Sequence, residues 1–138
     1  MEIRKYAADT DRTACLAIHN ALHGPGGDSS FAAFLDSDPT HFWVVDLGQG
    51  NLAACGGFDA ASGELRWGMV RQDLQRQGLG RYLLLFRLKE LGKVPGIVTV
   101  RAEVPAAYAR FYEKNGMKLA SISGEKAEFR MKLQVCSS

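Results

Sequence analysis

The segment QRQGLGR, residues 75–81, decides the fold, because its two glycines stand directly before the leucine-rich run YLLLFRLKEL of residues 82–91. A helix that begins at glycines exposes backbone N–H groups without partners, and its dipole places about half a positive charge at that end. Such a helix N-terminus suits a phosphate group, and glycine lets the ligand approach the backbone. A plain strand-to-helix turn is the alternative interpretation of Gly-x-Gly taken alone.

Two familiar phosphate motifs do not fit this segment. A Rossmann fingerprint requires a third glycine at position 83, where the chain has Leu83, and a Walker loop requires Gly-Lys-Ser/Thr, which the sequence lacks. The surrounding charge nevertheless favours an anion. Six basic and two acidic residues lie between Arg71 and Lys93, whereas the whole chain has a formal net charge of only +2.

Composition limits the class of protein. The chain has 138 residues, with 17 basic and 15 acidic side chains and 46% hydrophobic residues, which predicts one domain with a packed core and no default affinity for nucleic acid. Three cysteines without metal-ligand spacing predict reduced thiols in a cytoplasmic protein. No apolar stretch approaches the ~20 residues that a membrane-spanning helix needs, so we expect no membrane partner.

Local patterns predict a strand, two helices, three strands, a helix, a strand, a helix and a terminal hairpin. Alternation, caps and turn residues give the approximate bounds: strand 2–7, helices 9–22 and 31–35, strands 41–47, 52–58 and 64–70, a helix from the glycines to about 91, strand 97–102, helix 105–115, and strands 117–122 and 127–135. Asp9 is expected to cap the first helix, and Pro105 to begin the last one. This order implies a mixed α/β (α+β) sheet with helices on its faces.

Two separated motifs point to one family. The pattern Gln/Arg-x-x-Gly-x-Gly/Ala is met by Gln75, Gly78 and Gly80, after a strand that ends at Val70. Downstream, FYEKNGM at residues 111–117 is similar to the pattern Phe/Leu-Tyr-Glu-Lys-x-Gly-Phe. Through these segments and the order of its elements, the chain resembles the GCN5-related N-acetyltransferase (GNAT) family.

The resemblance extends from about residue 1 to residue 133 and implies a single domain over residues 1–138. The implied architecture is a mixed, mostly antiparallel central sheet of six to seven strands flanked by about four helices. The chain departs from the family pattern at Arg76, where glycine is common, and at Pro105, where asparagine is common. The missing asparagine removes a frequent polar contact to the cofactor arm.

The resemblance implies acetyl-coenzyme A as the cosubstrate. The backbone amides of residues 77–81 would cradle its pyrophosphate, with Arg76 and Arg81 adding charge-assisted contacts. The end of the preceding strand would pair with the pantetheine amides. The implied cofactor-binding residues are Met69, Val70, Gln75, Arg76, Gln77, Gly78, Leu79, Gly80, Arg81 and Tyr82.

The same resemblance implies two catalytic residues. Tyr112 occupies the family's general-acid position, where its phenol would protonate the departing thiolate. Glu64 lies fourteen residues before Gly78, at the spacing of a strand-borne general base. A carboxylate is a weak base for an alkylammonium ion, so partial burial or a relaying water is required. The alternatives are a solvated carboxylate for Glu64 and, for Tyr112, a core aromatic on one helical face with Tyr108.

Other polar residues carry weaker signals. His19 and His23 stand four apart on the first helix, but no third ligand is evident, so we predict no metal site and place both at the solvated helix end. By resemblance, the first helices and the loop HGPGGDSS, residues 23–30, border the acceptor groove. Arg66 shares a strand face with Glu64 and could bind an acidic acceptor group, whereas Trp67 is expected in the core.

The function implied is transfer of an acetyl group from acetyl-coenzyme A directly to a primary amine of a small molecule or peptide. The alternative from another class is a module that keeps the cofactor loop without catalysis, as a coenzyme A sensor or protein-interaction domain. Acceptor identity depends on variable loops, so the sequence leaves it open. A monomer and a homodimer are both compatible with the terminal hairpin.

Overall fold

The computed structural model describes residues 1–23 and 30–133 as a mixed sheet with helices. The elements in chain order are β1 (Glu2–Lys5), α1 (Ala8–His23), α2 (Ser30–Asp36), β2 (Phe42–Asp46), β3 (Leu52–Asp59), β4 (Glu64–Val70), a 3-10 turn (Gln72–Leu74), α3 (Leu79–Leu91), β5 (Thr99–Pro105), a second 3-10 turn (Ala106–Tyr108), α4 (Ala109–Lys114), β6 (Lys118–Ser123) and β7 (Lys126–Lys132). The predicted glycine-rich loop lies mostly outside the described residues.

The seven strands follow the order β1-β2-β3-β4-β5-β7-β6. Antiparallel pairing joins β1 to β2, β2 to β3, β5 to β7 and β6 to β7, whereas β4 and β5 run parallel, with Glu64 opposite Arg101 and Leu65 opposite Ala102. The predicted fold class, a mostly antiparallel mixed sheet with four helices, is confirmed. None of the described helices is long and apolar enough to cross a membrane.

The chain divides into two compact units. The first contains Met1–Gly57 and Trp67–Leu85. Its centre is made by β2 and β3, whose apolar side chains alternate between two clusters because successive strand residues point to opposite faces. Val44 and Cys55 pack with α1, α2 and Met69, while Val45 and Ala54 pack with Leu83.

The second unit contains Phe58–Arg66 and the chain from Phe86 onward. β5 pairs with β7 along its whole length, from Thr99 opposite Lys132 to Pro105 opposite Lys126. The inward-pointing residues of β5 and β7 are buried, and the ring of Tyr112 on α4 stacks on the ring of Phe129. β6 is exposed along all six residues and forms the edge of the sheet.

Two predicted helix starts are wrong. α1 begins at Ala8, so Asp9 lies inside the first turn and does not cap it. The N–H of Ala7 is instead bonded by the carboxylate of Asp11 at 2.8 Å. Pro105 ends β5, because the chain passes through a 3-10 turn before α4 begins at Ala109.

A buried carboxylate fixes the entry into α1. Asp11 is 0% exposed and accepts two hydrogen bonds from the guanidinium of Arg4, at 2.7 and 2.8 Å. Arg4 also pairs with Asp46 at 3.1 Å, so β1, β2 and α1 meet at one cation. Burial opposes ionisation of Asp11, but the bonds from Arg4 and from the N–H of Ala7 hold its pKa below the ordinary value.

We expect Asp11→Asn to lower the free energy of unfolding by about 2–3 kcal/mol near neutral pH, because it removes the charge from a buried ion pair. A carboxylate whose pKa is depressed in the folded state stabilises the fold above its unfolded pKa of about 4, and this contribution is lost as pH falls. The difference between the variant and the parent should therefore shrink below about pH 4.

Urea unfolding of both proteins at several pH values measures this difference. Asp36→Asn is the matched control, since Asp36 pairs with Arg12 at 2.8 Å but is 59% exposed. It should leave stability within experimental error. An Asp11→Asn deficit that is as large at pH 3 as at pH 7 would contradict the ionic origin.

Candidate active site

The turn from β4 to α3 is built by a strained backbone. The 3-10 turn ends at Leu74, and the chain then passes through φ values of 65° at Arg76 and 85° at Gly78. Glycine adopts such left-handed values freely, whereas other residues resist them. α3 then begins at Leu79, and the N–H of Tyr82 bonds to the carbonyl oxygen of Gly78 at 3.0 Å.

This geometry leaves a set of N–H groups directed out of the helix. In an α-helix that opens at Gly78, the amides of Leu79, Gly80 and Arg81 have no acceptor within the helix. A Cβ built on Gly78 would meet no atom within 4 Å, so the space beside the backbone is open. Residues 75–78 are exposed. The described surface therefore offers exposed backbone donors of the kind that bind phosphate.

The arginines around this turn differ in whether their charge is paired within the protein. Arg71 already has partners within the protein, because it pairs with Asp73 at 2.7 Å and donates a hydrogen bond to Asn51 at 2.8 Å. Arg76 and Arg81, by contrast, are exposed and make no ion pair among the described residues. These two guanidinium groups are therefore available to an anion at the start of α3.

The remaining cofactor-binding predictions fall close by in the same unit. The side-chain amide of Gln75 donates to the carbonyl oxygen of Val70 at 3.3 Å, which ties the turn to the end of β4. Met69 is buried in the core, and Leu79 and Val70 are partly buried against a neighbouring cluster. Gln77 is exposed, and Tyr82 is 44% exposed.

Glu64 opens β4 within the second unit and is held by its own strand. Its Oε1 accepts a hydrogen bond from Nε of Arg66 at 3.0 Å, and its side chain is 35% exposed. Arg66 also faces Asp59 at 3.7 Å. Two carboxylates therefore already neutralise this arginine, which weakens the prediction that Arg66 binds an acidic acceptor.

Tyr112 is fixed in place by aromatic rings. Its side chain is 8% exposed, its ring stacks on Phe129 with centroids 5.6 Å apart, and Phe111 meets it edge-on at 5.1 Å. Burial raises the pKa of Tyr112, while the positive charge of Arg87 acts in the opposite direction. The net pKa is raised, so the phenol is protonated at neutral pH.

Arg87 is the site residue that sequence reasoning missed. It was counted only as part of a basic segment, yet it is 3% exposed. Leu83, Leu84 and Leu91 are the other buried residues of α3, and Arg87 shares their face at spacings of three and four residues. A lone cation among leucines at this spacing is the signal that could have identified it. Glu64 thus pairs with Arg66, whereas Tyr112 packs on the rings of Phe129 and Phe111.

The predicted solvation of both helix-end histidines is wrong for His19. It is 4% exposed and stacks on Phe31 at 4.9 Å, whereas His23 is exposed. Trp67 packs against the same group, 4.9 Å from Phe31, so its placement in the core is confirmed. Among residues 1–23 and 30–133, no group of three or more His, Cys, Asp or Glu side chains could hold a metal ion.

A family model for the "Acetyltransferase (GNAT) domain" matches residues 38–118. This match spans more than half of the chain. The chain therefore belongs to the GNAT acetyltransferase family, and both the family and the acetyltransferase class predicted from the two motifs are confirmed. A comparison with curated protein sequences finds no match.

Solved structures share this fold at low sequence identity. A GNAT-family acetyltransferase from Staphylococcus aureus Mu50 has a TM-score of 0.77 and 13% identity, over 96% of this chain and 99% of that one. The ribosomal-protein-S18-alanine N-acetyltransferase from Escherichia coli has a TM-score of 0.70 and 24% identity, over 96% and 93%. N-acetylglutamate synthase from Neisseria gonorrhoeae, complexed with coenzyme A and N-acetyl-glutamate, has a TM-score of 0.75 and 18% identity, over 96% and 35%.

Proposed function

We propose that this protein transfers an acetyl group from acetyl-coenzyme A to a primary amine by direct attack of the amine on the thioester. The observation that carries the proposal is the N-terminus of α3 in a GNAT-family chain. There, left-handed Gly78 opens a row of backbone donors beside open space, with Arg76 and Arg81 exposed on either side. The complex of the related synthase with coenzyme A supports this cosubstrate.

The pyrophosphate is assigned to the amides of residues 77–81, where short N–H···O⁻ bonds and the helix dipole act on the same anion. Arg76 and Arg81 add charge that the backbone lacks. The pantetheine arm is assigned to the backbone of Met69 and Val70 at the end of β4. Gln75 supports that strand end through its bond to the Val70 carbonyl.

The proposed reaction uses two groups of the protein, one as a proton donor and one as a proton acceptor. The neutral amine attacks the thioester carbonyl carbon, the carbon–sulfur bond then breaks, and the sulfur leaves as a thiolate. Tyr112 gives this thiolate its phenolic proton, while the amine nitrogen loses one proton to Glu64 through a water molecule. The enzyme is restored when Glu64 releases its proton to solvent and the phenolate of Tyr112 regains one from solvent.

The acceptor is proposed only as a class. The synthase named above acetylates glutamate by its name, and the Escherichia coli enzyme is named for an alanine of a ribosomal protein. Amines of small molecules and of peptides are therefore both handled on this fold. A panel of primary amines that contains amino acids, polyamines and peptides is the first set of acceptors to test.

One observation favours the alternative, a coenzyme A-binding module without turnover. Tyr112 is 8% exposed and packs on the rings of Phe129 and Phe111, as a purely structural tyrosine would. Release of free thiol from acetyl-coenzyme A with the acceptor panel separates the two functions. Thiol release that depends on an amine supports the enzyme, whereas binding without release supports the module.

Gly78→Ala should weaken coenzyme A binding while leaving the protein folded. The new methyl group meets nothing in the protein, but it projects into the space assigned to the phosphates. The positive φ of 85° makes alanine strained, so Tm without ligand should fall by about 3 °C. The Tm gain at millimolar coenzyme A should be largely lost.

Gly96→Ala is the matched control for this substitution. Gly96 has a φ of 84° and equally open surroundings, but it lies in the turn after α3. The two variants should lose similar stability, and only Gly78→Ala should lose the shift with coenzyme A. Equal ligand shifts in both variants, or no shift in the parent, would refute the phosphate site.

Tyr112→Phe should reduce turnover far more than it reduces coenzyme A binding. The ring keeps its packing on Phe129, while the proton donor is lost. We therefore expect kcat to fall by roughly 10²-fold. This loss is at the low end for acid catalysis, because sulfur is already a good leaving group. Steady-state kinetics, ligand titration and Tm from one preparation give these values; parental turnover would show that Tyr112 is not the acid.

Glu64→Gln should lower turnover most strongly at low pH, where the amine is most protonated and a base is most needed. Glu128→Gln is its control, since Glu128 also pairs with an arginine two residues away, at 3.2 Å, and is 30% exposed. The pH dependence of kcat/KM for both variants measures the effect. If the two profiles coincide with that of the parent, water or another group removes the proton.

A further inference from the structure

β6 is an edge strand whose outer side is open. It lies at one end of the strand order, and all six of its residues are exposed. In the described sheet only β7 lies beside it, so half of its backbone N–H and C=O groups point away from the sheet. An edge of this kind can pair with an edge strand of another chain.

The two edge strands of the sheet differ in charge. β1 lies at the other end of the strand order, and three of its four residues are charged: Glu2, Arg4 and Lys5. Charged side chains on an edge strand discourage pairing with a further strand. β6 has the sequence KLASIS, in which only Lys118 is charged. β6 therefore lacks the protection that β1 has.

A bulge places both large apolar side chains of β6 on one face. Between Leu119 and Ser121 the pairing with β7 shifts by one residue, so Ala120 is the extra residue of the bulge. In a regular strand Leu119 and Ile122 would point to opposite faces, because side chains alternate. The extra residue brings them to the same face.

This face continues the buried face of β7. Leu119 lies opposite Phe129, and Ile122 lies opposite Ala127. Both partners on β7 are buried, whereas Leu119 is 45% exposed and Ile122 is 64% exposed. A further strand beside β6 would cover this apolar area through cross-strand contacts.

Opposite charges stand at the two ends of β6. Lys118 begins the strand, and Glu125 lies in the turn that follows it. Both side chains are exposed and make no ion pair with any residue that the structure describes, since the neighbouring Lys126 pairs with Glu103 at 3.4 Å. At about 3.3 Å per residue, the ends of β6 lie roughly 16 Å apart. Lys118 is therefore too far from Glu125 of its own chain to pair with it.

We propose that β6 pairs antiparallel with β6 of a second copy of this chain, about a two-fold axis that passes between Ala120 and Ser121. A two-fold axis perpendicular to the sheet makes the paired strands antiparallel and uses the same surface of both copies. It also keeps the apolar faces of the two copies on the same side. This inference concerns assembly and is independent of the proposed reaction.

The two-fold pairing matches complementary groups of the same strand. Leu119 stands opposite Ile122 of the second copy, and the reverse contact follows by symmetry. At each end of the pair, Lys118 approaches Glu125 of the other copy. An unrelated extended peptide would gain the backbone hydrogen bonds alone, whereas a second copy also gains the apolar and charged contacts. This self-complementarity favours the second copy.

Sedimentation velocity of the full chain measures the association. A six-residue strand buries less than the roughly 800 Å² per partner of a standard interface, so the dimer should be weak. We expect a dissociation constant on the order of 10–100 µM, which concentrations from about 5 to about 500 µM bracket.

Leu119→Lys and Ile122→Lys each put a charge on the apolar face and should weaken association at least about 10-fold. Leu85→Lys and Val98→Lys are the matched controls, because these side chains are 46% and 60% exposed and lie outside β6. They should change association less than about 2-fold. Tm is measured for all four, and a β6 variant that loses its fold is replaced by Leu119→Thr or Ile122→Thr, which keep a strand-forming residue.

An exchange of charges tests the antiparallel arrangement. Lys118→Glu alone brings two acids together at each end of the pair, and Glu125→Lys alone brings two cations together. Each should weaken association about 3- to 10-fold at low salt, and less at about 0.5 M sodium chloride. The double variant restores opposite charges, so its association should return to within about 2-fold of the parent.

Three results would overturn the proposal. A parent chain that is still monomeric at about 500 µM leaves the edge open to an extended peptide and excludes the dimer. Association that the substitutions at Leu119 and Ile122 leave unchanged, or that the control substitutions weaken equally, places the contact outside β6. Failure of the double charge exchange to recover association excludes the antiparallel pairing of β6 with itself.

Discussion

The left-handed backbone between β4 and α3 is the constraint on which the candidate site depends. Arg76 and Gly78 have φ values of 65° and 85°, and α3 begins directly after them. Successive side chains of an α-helix are rotated by about 100° around its axis. If α3 began one residue earlier or later, a different set of its side chains would be buried. The same turn therefore exposes the first amides of α3 and places Leu83 and Arg87 on its buried side.

Arg76 in this turn has a backbone conformation that is unfavourable for a residue other than glycine. Arg76 adopts a left-handed φ at a cost of about 1–2 kcal/mol that glycine would avoid, at a position where the family commonly has glycine. Strain of this kind persists where surrounding structure enforces it, and it concentrates at functional sites. Here the strained residue carries an exposed guanidinium close in the chain to the N-terminus of α3, where we propose that an anion binds.

Much of the fold could be predicted because it depends on local signals. The three central strands, the two first helices and the start of α3 follow from alternation and glycine placement, and the structure moves their ends by one or two residues. The predictions for Asp9 and Pro105 were wrong for the same reason. Each residue suits a helix start by its local sequence, but contacts with residues far away in the chain determine the structure there. Asp11 bonds to Arg4 of β1, and Pro105 is held in register by β7.

The sequence by itself determined the family, through two spaced motifs, and the positions of the candidate acid, base and phosphate loop, because these are properties of residue type and spacing. Only the tertiary structure decided how the cations are used. Arg71 is neutralised by Asp73, Arg76 and Arg81 remain exposed, and Arg87 is buried. A sequence counts these arginines as equal charges, but desolvation and the nearest partner set what each charge does, and both exist only after the chain has folded.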